Sequence, residues 1–348
     1  QRQLLQVVGP PRGLPRAFHH DNPEFIGVFP QKWSDPGRKL VIRNVDPAAT
    51  RWIGLAIGER FREPTHRKDT PGREFWGAGR DLDPAGAVTR PIRTTLELIM
   101  DRKSVYAILG ASGGIGSATC RQLNTAGADL GLAARNPEPL EKLSAELNGA
   151  YFETLDATDS SAVEGFVKAV VERYGAVDGI VNCVGSILLK AAHQTTDEEW
   201  RDTLSTNLDS AFAAVRAGAK AMRKDGGSIV LMATAAARVG LPSHEAIAAA
   251  KAGVIGLAQS AAASYAPKGI RVNVVAPGLV DTPLASKITS NPIMLKASEA
   301  MHPLGRIGQP DEVASVISWL LSNESSWVTG QVIGVDGGLA TVRGKSSA

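Results

Sequence analysis

From Ser104 onward, short continuous apolar runs alternate with longer stretches in which apolar residues return every three or four positions. This pattern admits few folds. A strand covered on both faces reads as an unbroken apolar run, and one helical stretch between each pair of runs supplies the crossover that parallel strands need. Strands are expected at Val105–Leu109, Asp129–Ala133, Ala150–Thr154, Gly179–Cys183, Ser228–Met232, Arg271–Val275 and Gln331–Val335. Helices are expected at Ile115–Thr125, Pro139–Leu147, Ala162–Tyr174, Leu208–Arg223, Ala248–Ala266 and Asp311–Leu321. The expected fold is α/β: a doubly wound, seven-stranded parallel sheet of the Rossmann type, with helices on both faces.

The first hundred residues lack this pattern. They carry 16 Lys+Arg against 11 Asp+Glu, whereas the remaining 248 carry 22 against 24. They also hold 11 of the 20 prolines and three of the six tryptophans, Trp33, Trp52 and Trp76. Proline-rich, arginine-rich sequence without a hydrophobic period offers little from which to build a core. Lys39–Val45 reads as a short strand, and in Pro47–Phe61 the residues Trp52, Leu55, Ala56 and Phe61 share one helical face. Residues 1–100 are therefore expected to form a largely irregular N-terminal extension. It serves as an arm that docks on its own body or on a protein partner, with 101–348 as the folded domain. A disordered basic linker is the alternative, which the tryptophans oppose. Arg60, Arg62, Arg67 and Lys68 alternate with Glu59, Glu63 and Asp69, a solvated or partner-facing surface rather than a nucleic-acid patch. His19, His20 and His66 form no metal-ligand spacing.

Hydrophobic residues at 43% and charged residues at 21% suit a globular chain, and no run approaches eighteen consecutive apolar residues, so no membrane span is expected. Cys120 and Cys183 fall in expected core elements and read as small buried hydrophobes in a reducing compartment. The chain begins with Gln1, a start that a removed organellar transit peptide would leave, which points to a mitochondrion or plastid, and otherwise to the cytoplasm.

The first run of the folded part ends in Gly110-Ala-Ser112-Gly-Gly114-Ile115-Gly116 and leads into a helix. Gly110 permits a tight turn, and Gly114 and Gly116 let the backbone approach a pyrophosphate held at the helix N-terminus. The second run ends Ala134-Arg135. An acidic residue there would accept hydrogen bonds from an adenosine ribose, whereas the planar guanidinium of Arg135 suits a 2′-phosphate.

With these features in order, residues of about 104–340 resemble the classical short-chain dehydrogenase/reductase family. The resemblance implies that Gly110, Ser112, Gly114, Ile115 and Gly116 bind the cofactor pyrophosphate. It implies that Ala134 stands where NAD-preferring members carry Asp, so that Arg135 selects NADP(H). Asp156 with Ala157 resembles the adenine-contacting pair. Asn182-Cys-Val-Gly185 matches the family's Asn-Asn-Ala-Gly at its first and last positions. Pro277, Gly278 and Thr282 resemble the loop that meets the nicotinamide carboxamide, and Thr329–Gly338 resembles the structural C-terminal segment. In the family a Tyr passes the proton, a Lys lowers its pKa and holds the ribose, a Ser fixes the substrate oxygen, and an Asn holds a relay water. Asn207, Thr234 and Lys251 match the Asn, Ser and Lys, but Ile247 stands thirteen residues after Thr234 in the Tyr slot. An isoleucine neither donates, accepts nor ionises.

The expectation is an NADP(H)-binding protein, catalytically degenerate, that acts as an accessory subunit of a larger assembly, with the cofactor as a structural ligand. The family helices are the expected surface for any homo-oligomer. Two other readings stand beside it: an active NADPH-dependent carbonyl reductase or alcohol dehydrogenase with an atypical acid, His244 or Lys251, and a metabolite-sensing pseudoenzyme.

Overall fold

The computed structural model describes residues 102–342 together with strands β1 (Leu5–Val7) and β2 (Leu40–Ile42). The chain divides into two compact units, Gln1–Arg102 and Lys103–Ala348. In the first, β1 and β2 pair antiparallel, Leu5 opposite Ile42 and Val7 opposite Leu40, so the strand expected within Lys39–Val45 is present. The segment expected at Pro47–Phe61, the three tryptophans of the extension, its basic cluster and its histidines lie outside the described residues.

In the second unit seven strands form one parallel sheet: β3 (Val105–Leu109), β4 (Asp129–Ala134), β5 (Tyr151–Thr154), β6 (Gly179–Asn182), β7 (Gly227–Met232), β8 (Ile270–Pro277) and β9 (Val332–Val335). Their spatial order is β5-β4-β3-β6-β7-β8-β9, so the order reverses between β3 and β6. Ligands of open α/β sheets bind at that reversal, outside the carboxyl ends of the strands. The seven expected strands are thus all present, with ends shifted by one or two residues.

The helices are α1 (Gly114–Thr125), α2 (Pro137–Glu146), α3 (Ser160–Tyr174), α4 (Asp197–Leu204), α5 (Ser210–Ala221), α6 (Glu245–Tyr265), α7 (Ser286–Thr289), α8 (Pro292–Met301) and α9 (Pro310–Leu321). On one face of the sheet Phe166 and Val170 of α3, Ala214 of α5 and Val254 and Ala258 of α6 are buried with Leu109, Ile180, Leu231 and Val274. On the other, Leu123 of α1, Leu140 and Leu143 of α2 and Ile317 and Leu320 of α9 bury against Ile108, Leu132, Val181 and Val275. Successive residues of each strand feed opposite layers, which is why the strands read as continuous apolar runs. Each fully buried Val, Leu or Ile contributes about 1.5–3 kcal/mol.

Glu245–Lys268, which includes α6, is long and apolar enough to cross a membrane by composition, with mean hydropathy 1.3. Ala246, Ala250, Val254, Ala258, Ala261 and Ala262 lie buried along it, so that hydropathy reflects core packing.

Two differences from the expected elements matter for the site. Helix α4 had no counterpart in the expected set, although Thr196-Asp-Glu-Glu199 is a capping box: the Thr196 hydroxyl accepts from Glu199 N at 3.2 Å, and the Glu199 carboxylate accepts from Thr196 N at 2.9 Å. The helix expected at Leu208–Arg223 is continuous with α4 through one π-helical turn, Ser205–Asp209. Such a turn holds an extra residue and rotates the side chains beyond it.

Candidate active site

The loop from β3 into α1 has its shape because side chains are excluded. Gly110 sits at φ +72°, and a Cβ there would meet the backbone of Cys183 and Val184 at 2.9 Å. A Cβ on Gly116 would stand 2.2 Å from the Gly110 carbonyl oxygen. These close approaches leave the first turn of α1 bare, with backbone N–H groups directed at a cleft, the usual cradle for a pyrophosphate.

That cleft, of about 270 Å³, runs along the carboxyl ends of β3, β4, β5 and β6. Gly110, Ser112, Gly114, Ile115, Gly116, Arg135, Asp156, Ala157, Gly185 and Thr282 all line it. Arg135 is exposed and makes no hydrogen bond or ion pair among the described residues, so its guanidinium is free for a phosphate. Asp156 accepts from Thr158 N and Thr158 Oγ1, each at 2.9 Å, and these bonds, with Arg135 nearby, hold its carboxyl below the usual range. Thr282 packs its methyl against Gly114, where a Cβ would meet it at 2.6 Å, and its hydroxyl accepts from Ala285 N.

Other expected residues stand behind the cleft wall or away from it. Asn182 is buried, donates to Ser210 Oγ at 3.1 Å and accepts from Val184 N at 3.1 Å, so it shapes the wall. Pro277 ends β8, and its carbonyl accepts from Thr234 Oγ1 at 3.5 Å. Gly278 faces His302, whose ring nitrogen Nε2 accepts from Leu279 N. Neither Pro277 nor Gly278 lines the cleft. Cys120 is buried as expected, whereas Cys183, just past the end of β6, is only partly buried: it packs against the core layer and also lines the cleft. Desolvation still pushes the Cys183 thiol up to about 12. Leu155, Thr158, Val184, Thr206 and Leu284 also line the cleft and were not singled out from sequence. Leu155, Thr158 and Val184 stand just beyond strand ends, whereas Thr206 comes from the π-helical turn and Leu284 from a short helical turn after β8.

Around Gly185 Asn207 and Lys251 come together. A Cβ on Gly185 would stand 3.0 Å from Asn207 Oδ1 and 3.4 Å from Lys251 Nζ. Asn207 is fully buried, and the π-helical turn delivers it. Lys251, on α6, is buried and donates to the Met232 carbonyl at 2.9 Å; among the described residues no carboxylate pairs with it. Burial brings its pKa down from the ordinary lysine range to about 8. Only one of the three Lys251 N–H groups is used among the described residues.

Thr234 ends the β7 connection, donates to Pro277 O and accepts from Ala236 N at 3.3 Å. Ile247, one helical turn before Lys251, is 5% exposed and packs as a hydrocarbon. His244 is the N-cap residue of α6, and its Nδ1 donates to Pro242 O at 2.7 Å, so that nitrogen is committed outside the Gly185 cluster.

Residues 110–340 match the protein-family profile described as enoyl-(acyl carrier protein) reductase. Similar proteins include a 3-oxoacyl-(acyl-carrier-protein) reductase of Thermotoga maritima, 38% identical over 243 residues, spanning 68% of this chain and 97% of that protein. A D-threitol dehydrogenase of Mycolicibacterium smegmatis is 34% identical over 239 residues, 67% of this chain and 92% of that protein. Among solved structures, a short-chain type dehydrogenase/reductase from Mycobacterium ulcerans superposes with TM-score 0.67 at 32% identity, covering 70% of this chain and 92% of that one. A variant of the actinorhodin polyketide ketoreductase, solved with NADPH, superposes with TM-score 0.65 at 32% identity, covering 69% and 98%.

Proposed function

The chain belongs to the short-chain dehydrogenase/reductase family of nicotinamide-dependent oxidoreductases, and we propose that it binds NADP(H) without performing ordinary carbonyl–alcohol chemistry. Its role is then that of an accessory subunit in a larger assembly. The observation that carries this reading is the contrast within α6: Lys251 keeps a buried amine with unspent donors beside the cleft, while Ile247, one turn earlier, fills the proton donor's place with hydrocarbon.

The residues present fit the cofactor. The glycine turn leaves room for a pyrophosphate, Arg135 is a free guanidinium at the ribose end, and Lys251 offers N–H groups at the nicotinamide end. When bound, the nicotinamide supplies a hydride donor or acceptor. Thr234 and Asn207 supply hydrogen bonds but are not placed as acids of useful strength, and the loss of a positioned general acid costs about 10²–10⁴-fold.

An active reductase that uses Lys251 itself as the acid is the second reading, favoured by the position of its pKa near 8. Stopped-flow and steady-state assays of NADPH oxidation against ketones, acyl ketones and quinones separate the two. We expect NADPH binding by calorimetry with negligible turnover. Rates of roughly 1–10³ per second refute the proposed reading and support the second. Absence of NADPH binding refutes both.

A further inference from the structure

The polar residue that does most to shape the Gly185 cluster is one to which the family motifs assign no part. Ser186 follows Gly185 and makes two bonds to the same side chain: Ser186 N donates to Asn207 Oδ1 at 3.1 Å, and Asn207 Nδ2 donates to Ser186 Oγ at 2.9 Å. The second N–H of Asn207 goes to Thr203 O at 2.9 Å. Asn207 is fully buried, and both of its N–H groups and its oxygen are bonded, to Ser186 and to Thr203 of α4. Its Oδ1 and Lys251 Nζ both close on Gly185, 3.0 and 3.4 Å from where a Cβ on that residue would stand.

From this we infer that Ser186 is a positioning residue for the nicotinamide end of the site, acting through Asn207 on Lys251. The reasoning is one of orphaned donors. Without the Ser186 hydroxyl, one N–H of a buried amide loses its partner, an arrangement that costs more than the bond itself was worth. Asn207 then turns to find another acceptor. The oxygen moves with it, and the packing around Gly185, which Lys251 Nζ shares, changes. The bonds that remain, from Ser186 N and to Thr203 O, leave the orphaned N–H unsatisfied. The cradle around the glycine turn and Arg135 belongs to other elements and is untouched.

The inference rests on the reading that the cleft holds NADP(H), and its test keeps the two apart. Dissociation constants are measured by calorimetry on the full chain for NADPH and for 2′,5′-ADP, which carries the 2′-phosphate and adenosine but no nicotinamide. For Ser186→Ala we expect NADPH to bind roughly tenfold more weakly, 2′,5′-ADP to bind as to the parent, and Ser186→Thr, which restores a hydroxyl, to recover most of the NADPH affinity. A Ser186→Ala variant indistinguishable from the parent overturns the inference. So does a parallel loss for both ligands, which marks a general structural defect rather than positioning. A parent chain that binds neither ligand overturns the nucleotide reading and the inference together.

Discussion

Two single residues have consequences that binding measurements can read. Arg135 is exposed on the cleft wall just past the end of β4 and makes no hydrogen bond or ion pair among the described residues. A charge-assisted contact to a phosphate contributes about 1.5–3 kcal/mol. NADPH is expected to bind at least tenfold more tightly than NADH, and Arg135→Ala is expected to remove most of that preference; equal affinities for the two cofactors in the parent refute it. Lys251 adds a pH dependence. Its folded pKa, about 8, is depressed by burial, so in the free protein the amine discharges as pH rises through 8. An anionic, hydroxyl-rich ligand favours the charged form and raises that pKa on binding. NADPH affinity is therefore expected to be flat below pH 7 and to fall by up to tenfold per pH unit above 8. Lys251→Met should bind weakly with no such fall. Calorimetry in buffers of different ionisation enthalpy checks the accompanying proton uptake.

Among the elements, the turn from β3 into α1 tolerates least. The Gly116 position leaves 2.2 Å between a would-be Cβ and the Gly110 carbonyl oxygen, closer than any real contact, and the obstructing atom is backbone. Gly116→Ala is expected to abolish nucleotide binding and to destabilise the domain by about 1–3 kcal/mol, as measured by urea melts; a variant with parental affinity and stability refutes the close-approach account. The segment from α4 through the π-helical turn into α5 makes a different point. Its capping box is written in Thr196 and Glu199, yet the turn that delivers Asn207 has no local signature, since Ser205–Asp209 is compatible with ordinary α-helix. Its extra residue is held by what lies beside it: Asn207 is anchored to Ser186, and Ser210 receives the Asn182 amide.

For the whole molecule, the division at Arg102/Lys103 separates a unit with a strand pair of its own from the parallel-sheet unit. The described residues that line the cleft belong to the second. A chain beginning at Lys103 is therefore expected to bind NADPH within about twofold of the full protein. If the extension is the docking arm of an accessory subunit, the same truncation abolishes co-purification with the larger assembly, whereas the full chain elutes at the mass of a complex. A truncated chain that keeps its partners refutes the arm's role, and one that loses NADPH binding refutes the independence of the site.

Much was legible in the chain itself. The sheet followed from apolar runs that are continuous because both faces of each strand are covered, and the tight turn from β3 into α1 followed from glycines whose purpose is steric and local. The Ile247–Lys251 contrast is visible at fixed helical spacing in one short segment. What lay beyond sequence reasoning was convergence. That Gly185 would bring Asn207 and Lys251 within a few ångströms of one point, that Ser186 would hold the amide, that Gly278 would face His302 rather than the cleft, and that Cys183 would line the cleft wall as well as pack on the core are outcomes of strand register and helix packing. Those contacts join residues 21 positions apart or more in the cases of Ser186 with Asn207 and Gly278 with His302. Their energies depend on distances that no local pattern encodes, so only the tertiary structure decided them.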